Sequence, residues 1–364
     1  MKNTYLLLIL CFFLSCSSKH QKLPVLDFEQ AISNPENINF EDYVKSVNYV
    51  ALETTDRSLI RGIGCCVITK ENIFISDCDK LCSFTKSGKF IKQIGSPGRG
   101  PEEFHFLMDI SFDYTENQIC ICDEGQIVRY TADGEFVSRK KIRGLGVLPT
   151  FKINSKGNYY YKRAHGPNES IALDVYDKDF NLLKSFKNSI VRKSGGRYEP
   201  FVSMYNDAVY YSSYVNDTIF SVDANLNKKA NWLIDYGKYK VSKHNMEITG
   251  GRYKGGYLST DYNIGGNLNI FELRTKGRYA GLILHFTNNN KVICPKDLNL
   301  KKYLSIKMNG LEWQIERFCN GKLVMSIDAI ELLENVDKIE DVELKNIALN
   351  ITEESNPVMA IIEV

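Results

Sequence analysis

Four short segments recur at a constant spacing of 46 residues: FTKSGKF at 84–90, YTADGEF at 130–136, YDKDFNL at 176–182 and VDANLNK at 222–228. A period in this range marks a chain built from copies of one supersecondary unit, since a single copy cannot bury its own apolar face. Each segment passes from an apolar residue through a polar turn centred on Ser87, Asp133, Asp179 or Asn225 into a new extended run. Asn, Asp and Gly tolerate positive φ and bond their own backbone, so each segment predicts a β-hairpin. The runs before them agree. NIFISD at 72–77 and QICICD at 118–123 are rich in β-formers and end at Asp77 and Asp123, again 46 apart. CCVITKEN at 65–72 and ISFDYTENQ at 110–118 add one more strand and turn to each unit.

Four short antiparallel strands in about 46 residues is the size of a propeller blade. A helical solenoid needs a 3.6-residue period, which these alternating runs lack, and a sandwich does not repeat one turn at constant spacing. From Val44 to Val364 there are 321 residues. With an insertion near 238–265 set aside, they divide into about six blades, seven being the alternative count. GNLNIFELR at 266–274, RYAGLILHF at 278–286 and KVICPK at 291–296 supply a fifth blade. LEWQIERF at 311–318, KLVMSI at 322–327 and VMAIIEV at 358–364 supply a sixth, with a short helical excursion at Ala329–Val336. The lone strand VNYVAL at 47–52 is predicted to complete that last blade, which closes the ring and leaves no open sheet edge. The fold class is therefore all-β, a six-bladed propeller of four-stranded blades.

The first residues are an address. YLLLILCFFL at 5–14 is ten uncharged apolar residues after Lys2, too short to span a bilayer and proportioned like a signal peptide. FLSCSS around Cys16 resembles the lipobox of bacterial lipoproteins, where cleavage before the cysteine leaves it lipidated; the alternative is an ordinary secretory signal. The reading is a signal peptide at 1–15, a lipidated Cys16 and tether at 16–43, and a single propeller domain at 44–364. By its resemblance to such lipoproteins, a polar tether SSKHQK that lacks acidic residues implies the outer membrane, facing the periplasm.

The run IKQIGSPGRGPEEFHFLMDISFDYTENQICICDEGQIVRYTADGEF at 91–136 resembles the NHL-type six-bladed propeller repeat, with GRGPEEF at 98–104 standing for its Gly-rich turn. With VNYVALETTDRSLI at 47–60 and SNPVMAIIEV at 355–364, nearly the whole chain looks like the six-bladed β-propeller lipoproteins of Bacteroidetes-type bacteria. That resemblance implies a fold and a compartment. It carries no assigned reaction.

If strands run a to d from axis to rim, the connections from d to the next a share one face with the b–c hairpins. The long ones are Gly95–Met108, Asn188–Pro200 and Tyr239–Gly266, and loops on a rigid scaffold are where binding tends to reside. The candidates are Arg99 and Glu102; Arg192, Arg197 and Tyr198; and His244, Arg252, Tyr253, Lys254 and Tyr257. Arg beside Tyr offers planar, amphipathic surface for carboxylates, glycans or peptides. Gly98, Gly100 and Pro101 read as turn chemistry rather than a phosphate loop, because no helix follows, and Glu102 is placed to satisfy backbone donors of that turn.

The five histidines are scattered without a paired ligand, so no metal and no cofactor is expected, and His285 inside an apolar strand reads as a core residue. Of the cysteines, most sit in apolar strands as small hydrophobes, and only Cys78 and Cys82 flank a turn that a disulfide could cross. There is no G-x-S-x-G or H-E-x-x-H. With 46 Lys plus Arg against 44 Asp plus Glu, the chain lacks the field of a nucleic-acid binder. The expected function is a membrane-anchored, non-catalytic binding or assembly module, monomeric, presenting a propeller face to a peptide, glycan or protein. The alternative is a lyase- or hydrolase-type enzyme with its site at the axial channel.

Overall fold

The computed structural model describes residues 22–77, 79–142, 150–163, 170–188, 202–212, 217–241, 256, 258–275, 278–296 and 304–364. Six antiparallel sheets form a ring. Blade 1 is Cys65–Ile68, Asn72–Ser76, Leu81–Thr85 and Phe90–Gln93, and blade 2 is Asp109–Asp113, Gln118–Asp123, Gln126–Thr131 and Phe136–Lys141. Blade 3 is Thr150–Ile153, Tyr159–Lys162, Ile171–Tyr176 and Leu182–Lys187, and blade 4 is Val202–Tyr205, Ala208–Ser212, Thr218–Val222 and Lys228–Asp235. Blade 5 is Leu258–Ile264, Leu268–Thr275, Arg278–Phe286 and Lys291–Ile293. In each the first strand is innermost, and the innermost strands abut around the axis.

Blade 6 takes three strands from the end of the chain, Leu311–Cys319, Lys322–Ile327 and Val358–Glu363, and its outer strand, Ser46–Ala51, from the beginning. Ser46 lies opposite Glu363 and Ala51 opposite Val358. The ring is closed as the sequence predicts. An additional strand, Ser305–Met308, flanks the first half of Leu311–Cys319.

The 46-residue repeat is the c–d turn, and it shows one geometry reached by two chemistries. Its left-handed position is Gly88 (φ 86°) and Gly134 (φ 84°) in blades 1 and 2, but Phe180 (φ 63°) and Leu226 (φ 64°) in blades 3 and 4. Bulky residues there are strained by roughly 1–2 kcal/mol. The compensation sits three residues earlier. Thr85 and Thr131 each accept one backbone N–H through the hydroxyl. Asp177 and Asp223 replace them, and each carboxylate accepts two backbone N–H groups and an Asn side chain. Gly88 has a second reason to be glycine: a Cβ would strike the carbonyl oxygen of Ala51, at the end of the closing strand.

The core lies between blades. Phe74 of blade 1 stacks on Phe112 of blade 2 at 5.7 Å, while Trp313, Leu323 and Met325 of blade 6 pack with Leu268, Leu282 and Leu284 of blade 5.

Two expectations are corrected. Order begins well before Val44, because the segment assigned to a tether is a strap. Val25–Asp27 adds in parallel to the outer strand of blade 4, the helix Phe28–Ser33 follows, and Glu36 bridges Pro295 beside blade 5. Phe40 then enters the blade 5–6 core. Leu26, Phe28 and Phe40 are wholly buried, too widely spaced to show a period in sequence. Second, Leu258–Ile264 is the inner strand of blade 5 rather than part of an insertion. The helical excursion expected at Ala329–Val336 is present as the helix Ala329–Glu334, and a second helix, Val342–Ala348, capped by Asp341, joins it.

Candidate functional site

The six innermost strands enclose a cavity of about 80 Å³ on the axis, open toward the a–b turns, where Tyr114 and Asn320 stand at its mouth. Cys66 and Ile68 come from blade 1, Ser111 and Phe112 from blade 2, Lys152 from blade 3, Ser203 and Met204 from blade 4, Asn263 from blade 5, and Arg317, Phe318 and Cys319 from blade 6. The serines join neighbouring blades. Ser111 accepts the N–H of Ile153 at 3.2 Å and Ser203 that of Ile264 at 3.0 Å. Asn320 donates to the carbonyl of Ile68 at 2.8 Å across the closure between blades 6 and 1.

Deeper lies one carboxylate between two cations from different blades. Asp109 Oδ2 accepts from Lys152 Nζ at 3.1 Å and Oδ1 from Arg317 Nη1 at 3.4 Å. Its oxygens also take the N–H groups of Ile110 and Phe151. The side chain of Asp109 is 4% exposed and those of Lys152 and Arg317 15% and 14%. Burial alone would raise the Asp109 carboxyl, but Lys152 and Arg317 outweigh it and hold it below its ordinary value. The trio carries a formal excess of one positive charge in a low-dielectric place. Arg317 Nη1 also donates to the Cys66 carbonyl at 3.4 Å, and the guanidinium bonds the Cys65 sulfur as well.

Next to Arg317 in sequence, Glu316 is pushed up to about 7 by burial, against the hydroxyl of Ser326 that donates to it at 2.5 Å. The unfolded chain releases this proton near 4.5 and the folded chain near 7, so the folded state binds more proton between those values and loses stability as pH rises through them. Glu316→Gln is therefore expected to leave Tm little changed at pH 5 and to raise it at pH 8, by on the order of 2 kcal/mol of stability. Equal effects at both pH values in thermal melts would refute this.

The residues singled out in sequence lie elsewhere. Arg99 and Glu102 are exposed on the d–a connection from blade 1 to blade 2, on the opposite face from the cavity mouth. That connection is a built turn. Glu103, not Glu102, bonds its backbone, accepting the Gly100 N–H at 2.7 Å, and Tyr130 donates to the carbonyl of Glu102 at 2.5 Å. Arg192, Arg197, Tyr198, His244, Arg252, Tyr253, Lys254 and Tyr257, like Cys16 and Cys78, lie outside the described residues. Cys82 is a buried free thiol. His285 is 1% exposed between Asn269 and Asn290, a satisfied core residue. Asp77 and Asp123, the repeated strand ends, accept backbone N–H groups of the segments entering their blades, at Arg61 and at His105 and Phe106. Sequence reasoning missed the axial trio. The signal was there: Asp109, Lys152 and Arg317 are charges set inside apolar inner-strand runs, where an unpaired charge is too costly to persist.

Among the described residues no cluster of three or more His, Cys, Asp or Glu could hold a metal ion, and no helix is long and apolar enough to cross a membrane. Among solved structures, the chain is similar to a Bacteroides fragilis protein described as a candidate exported protein, at 15% identity and TM-score 0.72, covering 93% of this chain and 99% of that one. It is also similar, at TM-score 0.47 and 10% identity, to a member of the DUF4221 family from Bacteroides vulgatus, covering 88% of this chain and 97% of that one. A third, virginiamycin B lyase of Staphylococcus aureus, aligns at TM-score 0.42 and 12% identity over 77% and 81% of the two chains. At these identities the likeness is one of fold. No curated protein matches the sequence. A model of the domain of unknown function DUF4934 matches residues 23–363, from the start of the strap to the end of Val358–Glu363, and the protein belongs to that family.

Proposed function

We propose that this propeller is a non-catalytic binding module whose axial cavity receives a carboxylate group of a small ligand or of a peptide partner. The observation that carries the reading is the two-to-one ratio of buried cations to carboxylate, with both cations, Lys152 and Arg317, lining the cavity. Guanidinium matches a carboxylate in planar, paired geometry, and low dielectric strengthens the contact. The cavity is too small for a whole sugar ring or residue, so it suits an end group while the body of the ligand lies over Phe112, Tyr114 and Phe318 at the mouth. The nearby carboxylate, Asp109, is held by Lys152 and Arg317, and the described residues lining the cavity include no carboxylate and no histidine, which favours binding over acid–base catalysis.

The lipobox-like segment around Cys16 supports attachment to the cell envelope through acyl chains, in the outer membrane facing the periplasm, and the monomeric ring needs no partner copy to close. Cys16→Ala is expected to release the protein from the membrane fraction; unchanged partition would refute the anchor.

The binding test uses protein beginning at Lys22 in low-salt buffer, with acetate, a short peptide bearing a free C-terminal carboxylate, glucuronate and neutral acetamide. A hundredfold excess over Kd stabilises by roughly 2.7 kcal/mol, read as a rise in Tm. The rise is expected for at least one carboxylate, absent for acetamide, reduced by added chloride and lost in Arg317→Met. Arg317→Lys should retain part of it. A rise with no carboxylate, or one unchanged in Arg317→Met, would overturn the reading.

A further inference from the structure

The cavity wall holds a second chemistry that the binding reading does not use. Cys66 lies in the innermost strand of blade 1 and Cys319 at the end of the innermost strand of blade 6, and their sulfurs are 3.6 Å apart. Among the described residues this is the one contact between two cysteine sulfurs; Cys65, beside Cys66 in sequence, turns toward the carbonyl of Met108 instead. The pair sits on the seam where the last blade meets the first.

We propose that Cys66 and Cys319 are a disulfide-forming pair that locks the ring at its axis. The geometry sets the roles. Both line the cavity, but Cys66 is buried, 1% exposed, whereas Cys319 is partly exposed, so an oxidant reaches Cys319 first. The thiol of Cys66 beside Cys319, and the Arg317 guanidinium beyond it, favour the Cys319 thiolate, the form that reacts. The Cys319 thiolate attacks one sulfur of a disulfide donor, breaking the donor's S–S bond, forming a mixed disulfide and releasing one donor thiol. Cys66, losing its proton to solvent, then attacks the Cys319 sulfur and expels the second donor thiol. Two protein thiols are oxidised, one donor disulfide is reduced to two thiols, and no other reactant is needed. An exporting compartment supplies such donors.

At the rim the seam is held by the pairing of Ser46–Ala51 with Val358–Glu363, which is non-covalent. The bond at the axis would hold the seam from the other side, so that a local opening of blade 6 no longer parts the first and last blades.

The experiment treats folded, reduced protein beginning at Lys22 with oxidised glutathione at mildly alkaline pH, removes the reagent, and maps non-reduced peptides by mass spectrometry. The expected product joins the peptides of Cys66 and Cys319, with the protein mass lower by two hydrogens, and its Tm exceeds that of the reduced protein by several degrees. Cys319→Ala and Cys66→Ala should form no such link and show no rise with oxidant, while Cys82→Ala, a buried thiol in the same packing cluster, should behave as wild type. The peptide map on the wild-type chain decides the matter even where a variant folds poorly. Stable glutathione adducts on Cys319 without closure, or a link between any other pair, would overturn the proposal, as would full alkylation of Cys66 and Cys319 after treatment.

Discussion

Asp109→Ala is expected to destabilise the propeller by about 3–5 kcal/mol, because it leaves Lys152 and Arg317 buried beside each other without their shared counter-charge. Two backbone donors, Ile110 and Phe151, lose their acceptor as well. The two conservative variants separate these terms. Asp109→Asn keeps the shape and one acceptor but not the charge, and should fall between alanine and wild type. Lys152→Met keeps the Asp109–Arg317 pair and should be milder than either. The acid limb carries the same signature. A carboxyl whose folded pKa is depressed stabilises above its unfolded value, near 3.8, and loses that contribution as pH falls through the folded value. Urea titrations at pH 7 and pH 3 should therefore show a large Asp109→Asn difference at pH 7 and a smaller one at pH 3. A loss below about 1 kcal/mol for Asp109→Ala at pH 7 would mean that water, not protein, solvates the two cations. The same Asp109→Asn protein, where folded, should bind carboxylates more tightly, since the cavity then carries a larger excess of positive charge.

A chain starting at Glu53 should lose its cooperative unfolding transition altogether. It lacks Tyr49, Val50 and Leu52, all buried, together with the strap residues Leu26, Phe28 and Phe40. Side chains of this size contribute roughly 1.5–3 kcal/mol each on burial, and their sum exceeds the net stability of an ordinary domain. The deletion also strips the outer partner from Val358–Glu363 and exposes a run of Val, Met, Ala and Ile as an open sheet edge. Gel filtration is expected to show aggregates, and thermal melts no transition. A soluble monomer with wild-type Tm would refute the view that the closing strand holds the ring. A chain starting at Lys45 keeps that strand but not the strap; it should stay folded with a lower Tm, so that losing the transition between the Lys45 and Glu53 starts is assigned to the closing strand.

The repeat made the ring legible because the c–d turn must adopt left-handed backbone, and few residue types do this without help. Gly88 and Gly134 advertise it directly, and Asp177 and Asp223 mark it where glycine is gone. The strap hid because it is held by single anchors seated in different blades, a pattern with no period. Leu258–Ile264 hid for a related reason: LSTDYNI is too polar to read as the inner strand it is. The axial trio was written in the sequence as three charges in three inner strands, but its meaning depends on strands from blades 2, 3 and 6 meeting on one axis. Charge inside an apolar strand is the local sign; the partner is supplied only by topology. Loop length, the sign that drew attention to Arg99 and Glu102, marked a turn that bonds to itself.

The pairing of Ser46–Ala51 with Val358–Glu363 also sets an order of events. Blades 1 to 5 each take all four of their strands from neighbouring sequence, so each can form as soon as its own residues are available. Blade 6 cannot. Its outer strand is made before blades 1 to 5 and its partner after them, so that strand must wait unpaired while all the intervening chain is synthesised. During that interval Val50 and Tyr49 face water, and a second chain offering a free strand edge can capture them. Completion of the ring is then a slow, late step whose competitor is another molecule, and yield on refolding should fall with protein concentration even where the finished propeller is stable.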